Sequence, residues 1–525
     1  MISRRTFIKG AVVGTAGVAS GLLPLGMSAP TKTARAAVGP EPDLSLSLAA
    51  MPDQARIFSG PPTDVWRYKS QVLSGDPAQL IQAEGGYLGP TIRVEQGQRL
   101  LVRHYNGLPQ ETIIHWHGLS LPAEMDGHPR YAVPPGGTYA YEFQVNDRPG
   151  TYWYHPHPDR LTGPQVYGGL AGLFIVTNPQ EQALGLPDGE YDVPLVIQDR
   201  TFDRDNQLVY IGRNPMSRMV GFLGRQVLVN GRPDYKLDVA ATAYRLRILN
   251  GSNSRIYDLT WDDGRDLIII GTDGGLLEKP IRRRHVLLAP AQRLELWADF
   301  SKDREGSGPS LVSREFDAGF SFGPGRMGPG MMRGGGMMGP GRFADPGGAP
   351  NGAPMTIMSV QVTRPGSGGH SLPERLLPIE RHSEQQAWNF GNPRQFFLEM
   401  NRMAWTINGR LFDMTGVAPD EVIEPGALEV WEFLNQGFGP GMMGMMSLPH
   451  PMHIHGGQFQ VLSREGGWMD GFVDEGLHDT VLVMPGQRVR ILMKFASNQG
   501  LFIYHCHNLE HEDMGMMRNY LVERK

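Results

Sequence analysis

The chain is almost without cysteine: Cys506 is the only one in 525 residues. An internal disulfide is therefore excluded, and the thiol is either free or bound to something else. Long apolar runs are missing too. The one stretch that approaches spanning length, residues 10–29, is diluted by glycine, serine, threonine and proline, and nothing after it is apolar enough to cross a bilayer. Positive charge is in deficit. The formal net charge is −5, and Arg4, Arg5, Lys9, Lys32 and Arg35 lie in the first 36 residues with no acidic residue among them, so the remainder carries −10. Such a surface repels polyphosphates, and no nucleic-acid partner is expected.

The N-terminus reads Ser3-Arg4-Arg5-Thr6-Phe7, then a weakly apolar core, then Ala34-Arg35-Ala36. Twin arginines ahead of a diluted core and a small-x-small site make residues 1–36 a twin-arginine signal peptide cut after Ala36. The expectation is an exported, periplasmic monomer without stable membrane insertion.

What is plentiful is glycine (68) and proline (42), around short runs of Val, Ile, Leu and Tyr. That is an all-β composition, and the length suggests roughly three domains of about 150 residues. Two families of segments recur three times. Leu100-Leu101-Val102-Arg103-His104-Tyr105-Asn106 corresponds to the segments ending at Asn250 and at Asn435. Pro135-Gly136-Gly137 opens a strand as Pro290-Ala291-Gln292 and Pro485-Gly486-Gln487 do. Repetition at this long spacing means repeated domains rather than a solenoid. The expected boundaries are 45–180, 190–365 and 375–525.

Histidine is clustered. Ten of the 16 fall in His115-Trp116-His117-Gly118, His155-Pro156-His157, His450-Pro451-Met452-His453-Ile454-His455 and Tyr504-His505-Cys506-His507-Asn508-Leu509-Glu510-His511. In a strand, residues two apart share a face. His505 and His507 then face one way and Cys506 the other, so one strand feeds two metal sites. His450 stands at odd spacing from His453 and His455 and is the partner for Cys506. A thiolate, two imidazoles and a distant thioether form a blue-copper ligand set, which Cys506, His511, Met516 and His450 supply. Zinc is disfavoured, because eight further imidazoles exceed any closed tetrahedral site.

These four motifs, in this order, resemble the copper signatures of the multicopper oxidases, the laccase and copper efflux oxidase family. The resemblance implies three cupredoxin-like Greek-key β-sandwiches holding four copper ions: type 1 on His450, Cys506, His511 and Met516, and type 2 on His115 and His453. The type 3 pair would sit on His117, His155 and His507 and on His157, His455 and His505. It also implies dioxygen as oxidant and Cu(I) or a phenol as donor. Asp126 and Glu512 resemble the family's proton donors. In domain 1, Pro156 stands where Cys506 does, so the blue site is absent there, and domain 2 has no histidine pair.

Methionine is the last excess. Residues 322–354 are Gly, Pro and Met with little else, including Met327, Met331, Met332, Met337 and Met338, and a second run, Met442, Met443, Met445 and Met446, ends just before His450. Thioethers are soft ligands that select Cu(I), so both segments are candidate substrate-copper sites. The first reads as a mobile loop, and a lid over the electron entry of a general laccase is the alternative. A non-catalytic copper-binding protein, either a copper sink or a scaffold on the same frame, is the reading from another class, and the complete ligand set argues against the scaffold.

Overall fold

The computed structural model describes residues 41–82, 85–211, 216–318, 321–322, 348–366, 369–401, 403–435, 446–467 and 469–524. They build three two-sheet sandwiches in chain order. The first packs a four-stranded sheet, ordered Thr63–Ser74, Leu44–Ala55, Arg99–Asn106 and Thr138–Gln144, on a five-stranded sheet that contains Ile114–His117 beside Gly150–Pro156. The second has sheets of seven and five strands, and the third two of five. Each sandwich is filled by alternate residues of both its sheets, such as Trp116, Tyr141 and Tyr154 in the first and Trp431, Ile454 and Tyr504 in the third. That inward alternation is the period of two that the short apolar runs carry. The architecture is all-β and cupredoxin-like, as the resemblance implies.

The repeated segments are one device used three times. Arg99–Asn106, Ala243–Asn250 and Leu428–Leu434 each pair in parallel with their sandwich's opening strand and antiparallel with the strand that follows the proline turn. Asn106, Asn250 and Asn435 end these strands fully or almost fully buried, and each donates its side-chain amide to a carbonyl across the sandwich: Val133, Leu288 and Val483 respectively. Their backbone carbonyls accept from Gly136, Ala291 and Gly486 of the turn. A buried amide with all partners supplied fixes the turn's position against the sheet.

The domains are joined through packed side chains. Trp153, Val196, Leu228 and Ala291 form a cluster between the first and second, and Leu287, Ala289, Leu482 and Met484 one between the second and third. The first and third meet through the Ser120 hydroxyl, which donates to the Gly456 carbonyl at 3.2 Å, and through His128 and Asn519 at 3.0 Å. No helix among the described residues is long and apolar enough to cross a membrane. Residues 1–36 and Met327, Met331, Met332, Met337, Met338, Met442, Met443 and Met445 lie outside the described residues. Met446 begins a two-residue strand, Met446–Ser447, that pairs antiparallel with Ser321–Phe322, so the described backbone beside the two methionine-rich segments meets in one ladder.

Candidate metal centre

Two matching strand pairs carry the histidines. In domain 1, Ile114–His117 runs antiparallel to Gly150–Pro156 with His115 opposite His155; in domain 3, His450–Ile454 runs antiparallel to Gly500–Cys506 with His453 opposite His505. The intervening residues Trp116, Tyr154, Met452, Ile454 and Cys506 point into their own sandwich cores. The histidines consequently face out of the sandwiches and toward each other across the domain 1–3 interface. His115 Nε2 lies 3.3 Å from His453 Nε2, and His505 Nε2 lies 3.2 Å from both His157 Nε2 and His455 Nε2. His117 Nδ1 is 3.4 Å from His155 Nε2, and the His507 ring centroid stands 5.1 and 5.2 Å from theirs. All eight rings are buried.

The backbone and side-chain oxygens behind these rings choose which nitrogen faces inward. His115 Nδ1 donates to the Asp126 carbonyl at 2.6 Å and His453 Nδ1 to the Asp479 carbonyl at 2.7 Å, so both present Nε2. His117 is reversed. Its Nε2 donates to Asp479 Oδ1 at 3.0 Å, which leaves Nδ1 facing His155. Asp126 Oδ2 and His455 Nδ1 share a hydrogen bond of 2.7 Å.

The second cluster lies inside domain 3, on the other side of the same strand. Cys506 Sγ is 3.4 Å from His450 Nδ1 and 3.7 Å from His511 Nδ1, and the two nitrogens are 3.3 Å apart. His511 sits on the short helix Leu509–Asp513, whose N-cap Asn508 accepts from the His511 N–H. Its Nε2 donates to the Met219 carbonyl at 2.9 Å, which commits Nδ1 to the cluster. Trp405 donates to the same carbonyl at 2.8 Å and packs its ring 4.8 and 4.9 Å from the two imidazoles. Met516 is fully buried in the same core, its carbonyl accepting the Cys506 N–H at 3.1 Å.

These donors fit soft and borderline metal ions. Among the described residues, neither ring nitrogen of buried His507 has a hydrogen-bond partner, and His450, Cys506 and His511 bring one ligand atom each within 4.8 Å of one another, as do His157, His455 and His505. Lone pairs converge at 3.2–3.4 Å, too close for uncompensated acceptors and suited to a shared cation. Burial pushes the Cys506 thiol up, a penalty that a bound cation reverses.

The two carboxyls singled out in the sequence are not surface groups: Asp126 is 0 % and Glu512 3 % exposed. Their environments differ. Burial pushes the Asp126 carboxyl well above the usual range, which favours its protonated form, and its Oδ1 has no hydrogen-bond partner among the described residues and lies 3.7 Å from His115 Nδ1. Burial also raises Glu512, but His157 at 3.5 Å and His505 at 3.1 Å outweigh it and bring the group down to about 2. Two carboxyls pushed in opposite directions beside one cluster can donate and relay protons. Sequence reasoning missed Asp479, Arg293, Met219 and Trp405. Only Asp479 left a local signal, as a polar residue directly before the buried strand Thr480–Val483.

Acid sensitivity follows. Burial lowers His155 and His511 to about 3 and His157 to about 4, and it is the first cause holding His115, His117, His450, His453, His455 and His507 well below the ordinary 6.5 of an imidazole. The rings are thus neutral at neutral pH, ready to bind metal. Folded values below the unfolded one mean that the unfolded chain binds more protons from pH 6.5 down through about 3. The copper-free protein is expected to lose thermal stability as pH falls through that window and to show no contribution from these groups above it. Thermal melts across the window check this; a flat melting temperature means the rings titrate freely.

Family models described as multicopper oxidase match residues 65–181 and 381–525. The multicopper oxidase mco of Staphylococcus aureus is 30% identical over 456 residues, covering 87% of each chain. A laccase of Bacillus subtilis is 30% identical over 509 residues, covering 84% of this chain and 90% of its own. The crystal structure of the McoA multicopper oxidase from the hyperthermophile Aquifex aeolicus superposes with a TM-score of 0.76 at 33% identity, covering 92% of this chain and 97% of that one. With both histidine-bearing domains matched and relatives similar along most of their length, the chain belongs to the multicopper oxidase family.

Proposed function

We propose that this enzyme is exported by the twin-arginine route and oxidises Cu(I) in the service of copper tolerance, with four copper ions placed as the resemblance implies. As a multicopper oxidase it couples copper-dependent oxidation of a reducing substrate to the reduction of dioxygen. When bound, copper supplies one-electron transfer at the sulfur-containing cluster and four-electron reduction of dioxygen to water at the histidine cluster. The type 1 ligands are His450, Cys506, His511 and Met516, and the type 2 ligands His115 and His453. His117, His155 and His507 hold one type 3 ion, and His157, His455 and His505 the other.

The chain's own part is orientation and proton supply. Cys506 is bonded through one peptide on each side to His505 and His507, so a covalent path joins the clusters. Asp126 offers a proton beside His455, and Glu512 accepts and relays protons beside His157 and His505.

One observation carries the choice of donor. Both imidazoles of the sulfur cluster are 0 % exposed, Trp405 covers them, and His511 Nε2 is already engaged by Met219. A phenol ring needs an open imidazole edge, whereas an electron from a metal ion held by thioethers nearby does not. The ladder between Phe322 and Met446 joins the borders of both methionine-rich segments and supports the same reading. Phenol oxidation is the second reading, favoured by the similarity to a laccase. Oxygen uptake with Cu(I) and with a phenol decides: kcat/KM for Cu(I) is expected to be at least about tenfold higher, about 1.4 kcal/mol in barrier. Equal or reversed values overturn the copper reading in favour of a laccase.

A further inference from the structure

Domain 2 supplies no cysteine or histidine to either cluster, yet one of its side chains grips the residue that hydrogen-bonds two of the ligands. Arg293 begins the strand Arg293–Asp299, directly after the repeated proline turn, and its side chain is completely buried. All five of its donors are used. Nε donates to the Thr151 carbonyl of domain 1 at 3.0 Å, Nη1 to Ala291 O at 2.9 Å and Nη2 to Asp273 O at 3.0 Å. The remaining two grip Asp479 of domain 3, Nη1 on Oδ1 at 2.8 Å and Nη2 on Oδ2.

Asp479 Oδ1 accepts in turn from His117 Nε2 at 3.0 Å and from Thr480 Oγ1 at 2.9 Å, while its carbonyl accepts from His453 Nδ1. The packing leaves this fork no alternative position. A Cβ on Gly118, which has φ +91°, would run into Asp479 Oδ2 and come within 2.9 Å of Arg293 Nη2.

We propose that Arg293 is a positioning residue for the histidine cluster, the means by which domain 2 sets the donor atom of His117 and braces the residue whose backbone carbonyl holds His453. The inference rests on the copper assignments proposed above. A two-toothed grip fixes a carboxylate in its plane as well as in place. Held so, Asp479 keeps one oxygen on His117 Nε2, and His117 can only present Nδ1 to a metal. Without the fork the carboxylate turns about its own bond, His117 loses the partner that selects its tautomer, and the inward lone pair is no longer guaranteed. Arg245 is the contrasting case. It is equally buried in domain 2 and paired with Glu295 and Glu181, but it touches no histidine.

The test compares Arg293→Gln, Arg293→Lys and Arg245→Gln as full-length, copper-loaded proteins. Copper per chain, the type 2 electron paramagnetic resonance signal, the blue absorption and KM for dioxygen against kcat are read. Arg293→Gln is expected to stay blue, to show an altered or depleted type 2 signal, and to lose about 10- to 100-fold in metal retention or turnover. Arg293→Lys, which keeps the charge but not the fork, falls between it and the parent. Arg245→Gln lowers the melting temperature of the copper-free chain and leaves the type 2 signal unchanged. Parental copper content, signal and turnover in Arg293→Gln overturn the inference, and so does the same spectral change in Arg245→Gln, which would make Arg293 a domain clamp only. If Arg293→Gln fails to fold, Arg293→Lys decides, an unchanged signal overturning the inference. A parent protein without a type 2 signal overturns the copper assignment and the inference with it.

Discussion

Cys506→Ser is expected to be colourless and to turn over at least about a thousandfold more slowly, equivalent to about 4 kcal/mol of barrier. Cys506 is the chain's only thiol, and it points into the domain 3 core with His450 and His511 nitrogens 3.4 and 3.7 Å from its sulfur. A serine hydroxyl is nearly the same size but remains protonated and hard, so it cannot replace a soft anionic ligand. The covalent path through residue 506 to His505 and His507 survives and leads nowhere. Copper per chain should fall by one ion while the histidine cluster, whose ligands are untouched, keeps its own. The new hydroxyl meets an apolar core and should reduce stability by about 1–3 kcal/mol. Metal analysis and oxygen uptake on the purified variant check this; turnover at the parental rate would remove Cys506 from the electron route.

Asp126→Asn should separate the two halves of the reaction. The amide keeps the shape and a hydrogen-bonding partner for His455 Nδ1, but it carries no transferable proton. Because burial pushes the parental carboxyl up, the substitution removes a group that burial favours as an acid. Loss of a general acid is worth about 10²- to 10⁴-fold. Bleaching of the blue colour by donor without oxygen should proceed at the parental rate, while the return of colour on adding oxygen slows by that factor. Rapid-mixing absorbance follows both phases. An equally slowed bleaching would point to damage at the sulfur cluster, and a parental return would exclude Asp126 as the donor.

The parts of the site that were legible in the sequence are those that local geometry dictates. Spacings of two between His115 and His117, or His453 and His455, are readable because a strand alternates, and the odd spacing of His450 is readable for the same reason. The repeated asparagines were visible as a pattern, though not as buried amides tying turn to sheet. Asp479 acts on His117 across 362 positions and Met219 on His511 across 292, and no local periodicity encodes such contacts. Arg293 looked like one charge in an alternating strand, and only the meeting of three domains gives it work. The carboxyls were located by resemblance alone, and it took their surroundings to show that burial pushes one up while neighbouring histidines hold the other down.

The pairing of His157 with His505 joins residues 348 positions apart. Closing a loop of that length costs about 5 kcal/mol in chain entropy beyond a constant term, and nothing local repays it. The histidine cluster is therefore among the last parts of the molecule to form during folding. A chain still emerging from the ribosome lacks the second half of every ligand group that spans the interface. Premature copper could meet only isolated pairs on domain 1, which hold it weakly. Full metal retention thus reports that synthesis has reached the final strands and that the first and third domains have docked.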